Sequence, residues 1–509
     1  MASLRKILIA NRGEIALRLV RACRELGISP VAVYSDADRC ALHVQHADEA
    51  YRLGPAPSVD SYLRGDRILE VARRCGADAI HPGYGFLSEN ADFAEGCTAA
   101  GITFIGPPAS AMRELGSKTR ARAAADRARM PRTPGSVRGL SSADEGLKIA
   151  KEIGYPVMLK AAAGGGGKGM RAIQRPEELP SAFLSASDEA ARAFGSGEVY
   201  LEKLIERPRH IEIQLLADQH GNVVYLGERE CSVQRRHQKV IEEAPSAVVG
   251  PELRRRMGEA ACRLAREAGY VNAGTVEFLV DEAQNFYFLE VNTRLQVEHA
   301  VTELVTGLDL VHLQIAIAEG RPLPFTQEEI TLRGHAMEVR VYAEDPENGF
   351  LPSPGRITRL LRPGGPGIRE DEGVYEGWEV PTEYDPMLSK LIAHASDRAT
   401  AIARLGCAID EYAIGGIRTN LKLLRRVLDD ADFQAARIDT GYLDRLLAKA
   451  APEIAEADRA EAGSAEADKQ SQEAAAIAAV LFATPAPAAV ATKAPTPWQR
   501  DALEQGFRR

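Results

Sequence analysis

The segment "GTVEFLVDEAQNFYFLEVNTRLQVEH", residues 274–299, places two apolar runs on either side of a short polar turn. This pattern predicts two antiparallel strands that form a hairpin. Glu277 lies inside the first apolar run, where a buried and unpaired carboxylate is costly. If the loop through "DEAQN" has an even number of residues, Glu277 and Glu290 point to the same face of the sheet, and Asn292 follows two residues later on that face.

Polar side chains occupy every second position from the end of the second apolar run, at Glu290, Asn292, Arg294, Gln296 and Glu298. Two carboxylates and an amide oxygen on one face suit Mg²⁺, which prefers oxygen ligands and completes its shell with phosphate oxygens. The alternative is a salt-bridged polar face on one pair of strands. The hairpin residues 274–292 include no lysine or arginine, which favours the metal site.

A glycine-rich stretch follows another predicted strand in "YPVMLKAAAGGGGKGM", residues 155–170. It is not a Walker A loop, because the first glycine and the Ser/Thr of GxxxxGK[ST] are missing. Consecutive glycines let backbone N–H groups close around phosphate oxygens. We therefore expect a hinged lid over a nucleotide, with Lys160 as a fixed phosphate cation. The lid residues in this hypothesis are Gly165, Gly166, Gly167 and Lys168.

Hydrogen-bond donors are concentrated in two further stretches, "RHIEIQ" (209–214) and "QRRHQKVIEEAPS" (234–246). A dense set of donors without apolar periodicity is typical of an anion cradle. The alternative is a solvated basic loop. The donors are His210, Gln234, Arg235, Arg236, His237 and Lys239.

The bulk composition excludes several classes of protein. The 509 residues predict about three domains, and 63 Lys+Arg against 72 Asp+Glu give a net charge of −9. No global basic field favours nucleic acid or an anionic membrane as a partner. Seven scattered cysteines without CxxC spacing argue against a zinc site and a disulfide framework. Without a signal-peptide layout or an 18-residue apolar stretch, we expect a soluble cytoplasmic protein.

The patterns along the chain predict an α/β block followed by α+β blocks. Residues 1–115 alternate strands and helices, which predicts a doubly wound, mainly parallel sheet whose loops include "ANRGE" and "HPGYGFLSEN". Residues 116–333 contain hairpin-like pairs and the helix "PELRRRMGEAACRLAREAG". Residues 334–447 return to short strands and end in helices. Residues 448–509 form an Ala/Pro-rich linker and docking tail, or a disordered tail with incidental aromatic residues.

The motifs taken together resemble biotin carboxylase, an ATP-grasp enzyme. The resemblance covers roughly residues 1–447, and the motifs stand in family order: "IANRGEIA", "HPGYGFLSEN", "GGGGKGM", "QRRHQKVIEEAP", "EVNTRLQVEH", "AEDP" and "FLPSPG". It implies an N-terminal biotin carboxylase (pre-ATP-grasp) domain at 1–115 and an ATP-grasp domain at 116–333 with a glycine-rich lid at about 131–204. It also implies a biotin carboxylase C-terminal domain at 334–447.

The resemblance also implies roles for individual residues on the nucleotide side. Lys118 and Lys160 would hold the ATP phosphates, and Glu202 and Lys203 would lie near the adenine. His210 and Gln234 would face the ribose and phosphates, with His237 nearby. Glu277 and Glu290 would bind Mg²⁺ or Mn²⁺, with Asn292 beside them.

The remaining implied roles concern bicarbonate and biotin. Lys239, Arg294, Gln296 and the Val297 amide would hold bicarbonate. Glu298 would be its general base, and Arg340 would face the ureido group of biotin. The implied activity is ATP- and bicarbonate-dependent carboxylation of biotin through carboxyphosphate.

Partners follow from the same resemblance. Biotin is attached to lysine in an "AMKM"-like hairpin, and no methionine follows Met387, so we expect the biotin carboxyl carrier protein and the carboxyltransferase to be separate subunits. A homodimer or larger complex is expected. Acetyl-CoA or propionyl-CoA is the expected final acceptor, and pyruvate is the alternative. Two rival readings are a different ATP-grasp ligase and a non-catalytic nucleotide-binding regulatory subunit.

Departures from the family pattern are few. Ala300 stands where the family usually has proline, which would loosen the turn after Glu298 without removing a functional group. Lys168 stands where some relatives have arginine, so the lid keeps its charge but loses a bidentate donor.

Overall fold

The computed structural model describes residues 3–136, 138–161, 170–194 and 197–449; the side chains of residues 118, 193 and 194 fall outside the description. The predicted lid residues Gly165, Gly166, Gly167 and Lys168 lie outside the described residues, as does nearly all of the predicted tail. Residues 1–447 form one compact unit.

The first part of the chain forms a five-stranded sheet in which all pairings are parallel. Its elements are β1 (Lys6–Ile9), α1 (Gly13–Glu25), β2 (Ser29–Ser35), α2 (Leu42–His46), β3 (Glu49–Gly54), α3 (Gly65–Cys75), β4 (Ala79–His81), α4 (Ala91–Ala99), β5 (Thr103–Phe104) and α5 (Ala109–Leu115). The strand order is β3-β2-β1-β4-β5. Ile7 and Ile9 of the central strand pack on one face against α1, while Leu8 packs on the other face against α3 and α4. Helices on both faces confirm the predicted doubly wound sheet.

A small antiparallel sheet follows, with two helices packed against it through one apolar cluster. The elements of this segment are α6 (Lys118–Arg127), α7 (Ala143–Ile153), β6 (Val157–Ala161), β7 (Met170–Ile173), α8 (Leu179–Phe194) and β8 (Val199–Lys203). The strand order is β7-β6-β8, and the two packed helices are α7 and α8.

The next segment provides five strands of a larger sheet and one long helix. The helix begins at Pro251, a residue that is favoured in the first turn because it has no N–H to leave unpaired. Gly269 follows its end with φ of +59°, so the predicted helix is confirmed. The elements are β9 (Arg209–Ala217), β10 (Val223–Arg235), β11 (Gln238–Ala244), α9 (Pro251–Glu267), β12 (Asn272–Val280), β13 (Phe286–Asn292), α10 (His299–Thr306) and α11 (Leu310–Ala318).

The last described segment adds short strands and a helical end, as expected. Its elements are β14 (His335–Tyr342), β15 (Glu344–Asp345), β16 (Leu351–Pro352), β17 (Gly355–Arg356), β18 (Arg359–Leu361), β19 (Ile368–Glu372), β20 (Glu379–Val380), β21 (Met387–Ala395), α12 (Arg398–Glu411), β22 (Ala413–Gly415), α13 (Leu421–Asp429) and α14 (Ala431–Gln434).

One eight-stranded antiparallel sheet joins the last two segments, in the order β13-β12-β9-β10-β11-β14-β21-β19. The pairing of β11 with β14 therefore crosses the domain boundary that was predicted at residues 333/334. The consequence is that side chains from both segments project from one continuous surface.

Helices α10 and α11 are apolar but largely buried. Among the described residues, no single helix has the length and apolar composition needed to cross a membrane; α10 and α11 meet that test only as a pair and are bent by 96°.

Candidate active site

Four charged residues form one row across neighbouring strands of the eight-stranded sheet. Glu290 on β13 pairs with Glu277 on β12, Glu277 pairs with Glu212 on β9, and Glu212 pairs with Arg229 on β10. Residues directly opposite each other in a sheet project from the same face. The prediction that Glu277 and Glu290 share a face is therefore confirmed, and Asn292 follows on that face.

The ammonium group of Lys239, on β11, lies among three carboxylates. Its Nζ donates to Glu212 Oε2 at 2.6 Å, to Glu277 Oε1 at 2.9 Å and to Glu298 Oε1 at 2.6 Å. Burial by itself would lower the pKa of Lys239, but the three carboxylates outweigh it and raise the pKa well above its usual range. Lys239 therefore remains charged.

Glu298 precedes α10 and is fully buried. Its Oε2 accepts a hydrogen bond from Arg340 Nη2 at 3.0 Å, while Oε1 accepts from Lys239. Burial would raise the pKa of Glu298, but Lys239 and Arg340 outweigh it and hold the pKa well below its usual range. The carboxylate is ionised at neutral pH and is able to accept a proton.

Arg340, on β14, is held between two carboxylates. Its Nε donates to Glu242 Oε1 at 2.7 Å, in addition to the bond with Glu298. Two anchoring bonds fix the planar guanidinium in one orientation. The structure thus places Arg340 beside Glu298, the predicted base.

Glu277 has four hydrogen-bonding or charged neighbours. Its Oε1 accepts from Lys239, from Asn292 Nδ2 at 2.8 Å and from Gln296 Nε2 at 3.1 Å, and His210 Nε2 lies 2.9 Å from Oε2. Burial would raise the pKa of Glu277, but Lys239 and His210 hold it well below its usual range. The hairpin supplies no cation, as the sequence indicated, but the adjacent strands do.

These residues fit a magnesium ion. Glu277 and Glu290 project from one face, and one ligand atom from each of His210, Glu212 and Glu277 lies within 4.8 Å of the others. A carboxylate pair with an amide oxygen nearby is a donor set that Mg²⁺ accepts. Lys239 and His210, which neutralise Glu277, would be drawn toward other anions when a metal takes over that role.

Arg294 lies at the exit from β13 and has fixed partners. Its guanidinium donates to Gln296 Oε1 and to Asn292 Oδ1, each at 3.1 Å, and to Glu89 Oε2 at 3.1 Å. Glu89 also accepts a hydrogen bond from the Thr293 backbone N–H at 2.9 Å. The loop "HPGYGFLSEN" of the first sheet therefore holds the predicted anion-binding arginine in place.

The predicted nucleotide residues are distributed over two sheets. Lys160 on β6 donates to Glu202 Oε2 at 2.6 Å, and Arg122 binds the other oxygen of Glu202. Lys203 Nζ donates to the Tyr155 carbonyl oxygen at 2.8 Å. Lys118 begins α6, and its side chain lies outside the described part of the chain.

The predicted anion cradle is only partly assembled. Gln234 is buried and pairs with Lys239 across the β10–β11 turn. Arg236 and His237 occupy the turn itself with positive φ and are exposed, and Arg235 lies over the ring of Phe350. The structure therefore brings Gln234, Lys239 and His210 toward the carboxylate row, but not Arg235, Arg236 or His237.

Comparison with known proteins identifies the family. Residues 3–112 match the family model "Biotin carboxylase, N-terminal domain", residues 117–326 match "Carbamoyl-phosphate synthase L chain, ATP binding domain", and residues 338–445 match "Biotin carboxylase C-terminal domain". Biotin carboxylase from Halalkalibacterium halodurans is 53% identical over 439 residues, which are 86% of this chain and 97% of that protein. The chain belongs to the biotin carboxylase family. It is an ATP-dependent ligase of the kind that serves biotin-dependent carboxylases.

Other members of the biotin carboxylase family serve different carboxylases. A pyruvate carboxylase subunit from Methanothermobacter thermautotrophicus is 54% identical over 86% of this chain and 89% of that protein. The propionyl-CoA carboxylase alpha chain from Ruegeria pomeroyi is 50% identical over 86% of this chain and 67% of that protein.

Solved structures of biotin carboxylases share the fold. The biotin carboxylase–β,γ-ATP complex from Campylobacter jejuni is 48% identical, with a TM-score of 0.83 over 87% of this chain and 99% of that one. The biotin carboxylase domain of Hydrogenobacter thermophilus 2-oxoglutarate carboxylase has the same identity and TM-score over 87% of this chain and 98% of that one, and contains MgADP, ADP and bicarbonate.

Several residues that contact the predicted biotin carboxylase site were not found from the sequence. Glu212 is a charged residue within an apolar strand, which is the same signal that identified Glu277, whereas Arg229 stands between Glu228 and Glu230 and lacks that signal. Lys390 is likewise a charged residue within a largely apolar strand, but its contact with Val297 spans 93 positions. Glu89 and His299 lack such a signal: Glu89 contacts Thr293 across 204 positions, and His299 contacts Gln296 three positions earlier.

Proposed function

We propose that this biotin carboxylase uses ATP and bicarbonate to carboxylate biotin on a carrier protein, and that the carboxyl group then passes to acetyl-CoA or propionyl-CoA. The observation that carries the first step is the convergence of Lys239, Glu298 and Arg340 beside the carboxylate pair Glu277 and Glu290. An ionised base, fixed cations and oxygen ligands for a divalent metal are the groups that phosphoryl transfer to bicarbonate requires.

ATP and Mg²⁺ are the cofactors in this proposal. Glu277 and Glu290 would hold the metal with Asn292 beside them, and Lys118 and Lys160 would hold the phosphates. Bound Mg²⁺, or Mn²⁺ in its place, neutralises charge on the transferring phosphoryl group. The other residues that the resemblance assigns to the nucleotide are Glu202, Lys203, His210, Gln234, His237 and the lid residues Gly165, Gly166, Gly167 and Lys168.

Bicarbonate is captured by Lys239, Arg294, Gln296 and the Val297 amide. Glu298 takes the hydroxyl proton of bicarbonate while a bicarbonate oxygen forms a bond to the γ-phosphorus of ATP and ADP leaves. The low pKa of Glu298 keeps the base ionised before the step. General-base assistance of this kind contributes about 10²–10⁴-fold to a rate.

The later steps are those that the resemblance implies. Carboxyphosphate breaks down to CO₂ and phosphate, and the phosphate removes the proton from the ureido nitrogen of biotin. Arg340, held in one orientation by Glu242 and Glu298, stabilises the resulting enolate. A closed glycine lid protects carboxyphosphate from water.

The catalytic assignment is tested with Glu298→Gln in an assay of bicarbonate-dependent ATP cleavage. Turnover should fall by about 10²-fold or more because the amide cannot accept the proton. Glu252→Gln, an exposed change on α9, is the matched control and should keep wild-type turnover. Wild-type turnover in Glu298→Gln would refute the assignment. ATP cleavage that needs neither bicarbonate nor biotin would favour another ATP-grasp ligase, and no cleavage by the wild type would favour a regulatory subunit.

Pyruvate is the second candidate for the final acceptor, because a relative of nearly equal length is a pyruvate carboxylase subunit. Purification of the protein with its endogenous partners, followed by addition of labelled bicarbonate and ATP, separates the candidates. Label in an acyl-CoA product supports the proposal, and label in a dicarboxylic acid derived from pyruvate contradicts it.

Removal of residues 448–509 tests the docking tail: partners should no longer co-purify, while free biotin should still be carboxylated.

A further inference from the structure

Two fully buried side chains hold the backbone on both sides of Val297. Nδ1 of His299 lies 2.9 Å from the Gln296 carbonyl oxygen, and Nζ of Lys390 donates to the Val297 carbonyl oxygen at 2.7 Å. Both side chains have no exposed surface. We propose that His299 and Lys390 form a backbone clamp that positions the Val297 amide for bicarbonate, an inference that rests on the proposed function.

The geometry of the peptide group explains how such a clamp acts. The carbonyl and the N–H of one trans peptide point in opposite directions. The Gln296 carbonyl shares a peptide with the Val297 N–H, and the Val297 carbonyl shares the next peptide with the Glu298 N–H. Because His299 and Lys390 bind both carbonyls, both N–H groups are directed away from them. Within the described residues, neither N–H donates to a protein acceptor.

Lys390 is the charged part of the clamp. It lies on β21 directly opposite Arg340 on β14. Arg340 binds the Glu298 carboxylate, and Lys390 binds the carbonyl oxygen of Val297, the residue before Glu298. Asp371 Oδ2 lies 3.5 Å and Glu14 Oε1 lies 3.7 Å from Lys390 Nζ. Burial would raise the pKa of Asp371, but Lys390 and Arg369 outweigh it and hold the pKa well below its usual range. Asp371 therefore compensates the ammonium charge, which explains how a lysine is retained in a fully buried position.

His299 is the neutral part. Burial, with nearby Lys390 and Arg369, lowers the pKa of His299 well below its usual range. A carbonyl oxygen only accepts hydrogen bonds, so the proton of the neutral ring is on Nδ1. A neutral donor next to Lys390 avoids a second buried positive charge.

The clamp is tested by steady-state kinetics of bicarbonate-dependent ATP cleavage. His299→Leu removes one donor, and Lys390→Met removes the other with little change in shape. Displacement of a binding group by about 1 Å can cost about 10²-fold, so each change should raise the KM for bicarbonate at least about tenfold. The KM for MgATP should stay within about twofold, because the nucleotide residues are not touched. His299→Asn places an N–H at the position of Nδ1 and should restore most of the bicarbonate affinity.

His43→Leu is the matched control, because His43 is also buried and its Nε2 lies 3.3 Å from the Val33 carbonyl oxygen in the first sheet. It should lower the melting temperature without a selective effect on bicarbonate. If Lys390→Met does not fold, the KM for bicarbonate of His299→Leu is compared with that of His299→Asn, and this comparison tests the clamp. Equal changes in both KM values, or an unchanged KM for bicarbonate, would overturn the clamp. Absence of bicarbonate-dependent cleavage in the wild type would instead refute the proposed function.

Discussion

Lys239 Nζ lies 2.6 Å from Glu298 Oε1 and also binds Glu212 and Glu277, so one ammonium group compensates three buried carboxylates. These carboxylates come from two strands of the sheet and from the loop before α10. A single side chain thus links the proposed metal ligand to the proposed base, and its removal affects both stability and catalysis.

Lys239→Met should destabilise the protein by about 3–5 kcal/mol, because it leaves the buried carboxylates of Glu277 and Glu298 without their main counter-charge. Urea unfolding measures the change. Lys6→Met is the control: Lys6 pairs with Glu49 near the surface, and such a pair contributes about 0–1 kcal/mol. A similar loss of unfolding free energy in Lys239→Met and Lys6→Met would contradict the central role of Lys239.

Glu290→Gln should raise the Mg²⁺ concentration needed for half-maximal ATP cleavage. Loss of a residue that only supports a metal ligand costs about 10–100-fold in affinity, so loss of a ligand should cost at least about tenfold. A magnesium titration at saturating ATP and bicarbonate measures it. Glu282→Gln, an exposed change in the turn of the same hairpin, should leave the titration unchanged. A similar rise of the half-maximal Mg²⁺ concentration in both variants would show that the change is not specific to the metal site.

Glu89→Ala should weaken bicarbonate binding several-fold with little loss of stability. Glu89 orients Arg294 and the Thr293 N–H, but its side chain is 40% exposed, so the ion pair contributes about 0–1 kcal/mol to folding. Kinetics with varied bicarbonate and thermal unfolding measure the two effects. Glu95→Ala removes an exposed partner of Arg113 and serves as control. If bicarbonate kinetics are unchanged in Glu89→Ala, Glu89 does not position Arg294.

Glu14 should make the protein less stable as the pH rises from 5 to 8. Burial is the main cause that raises the pKa of Glu14 from 4.5 to about 7. Between these values the folded state holds a proton that the unfolded state has lost, so this contribution is complete below pH 4.5 and disappears as the pH passes 7. Each pH unit in that window changes the free energy of unfolding by about 1.4 kcal/mol. The free energy of unfolding, measured at several pH values, should decline less with rising pH in Glu14→Gln than in the wild type. Equal slopes against pH in the two proteins would contradict the raised pKa of Glu14.

Local patterns were sufficient to predict much of the fold. Alternation of strands and helices predicted the parallel sheet, and apolar runs around a turn predicted the hairpin that places Glu277 opposite Glu290. The stretch "PELRRRMGEAACRLAREAG", which ends in a stop glycine, predicted α9. These features depend on backbone periodicity and turn chemistry, which act between residues that are close in sequence.

What the sequence by itself determined is the set of elements and the chemical type of each side chain in the site. Only the tertiary structure decided which residues meet. Glu89 reaches Arg294 across 205 positions and Lys390 reaches Val297 across 93. The same packing joins β11 to β14 in one sheet across the predicted domain boundary. Such contacts depend on strand order and on burial of charges that must be compensated in pairs, and neither leaves a periodic pattern in the chain.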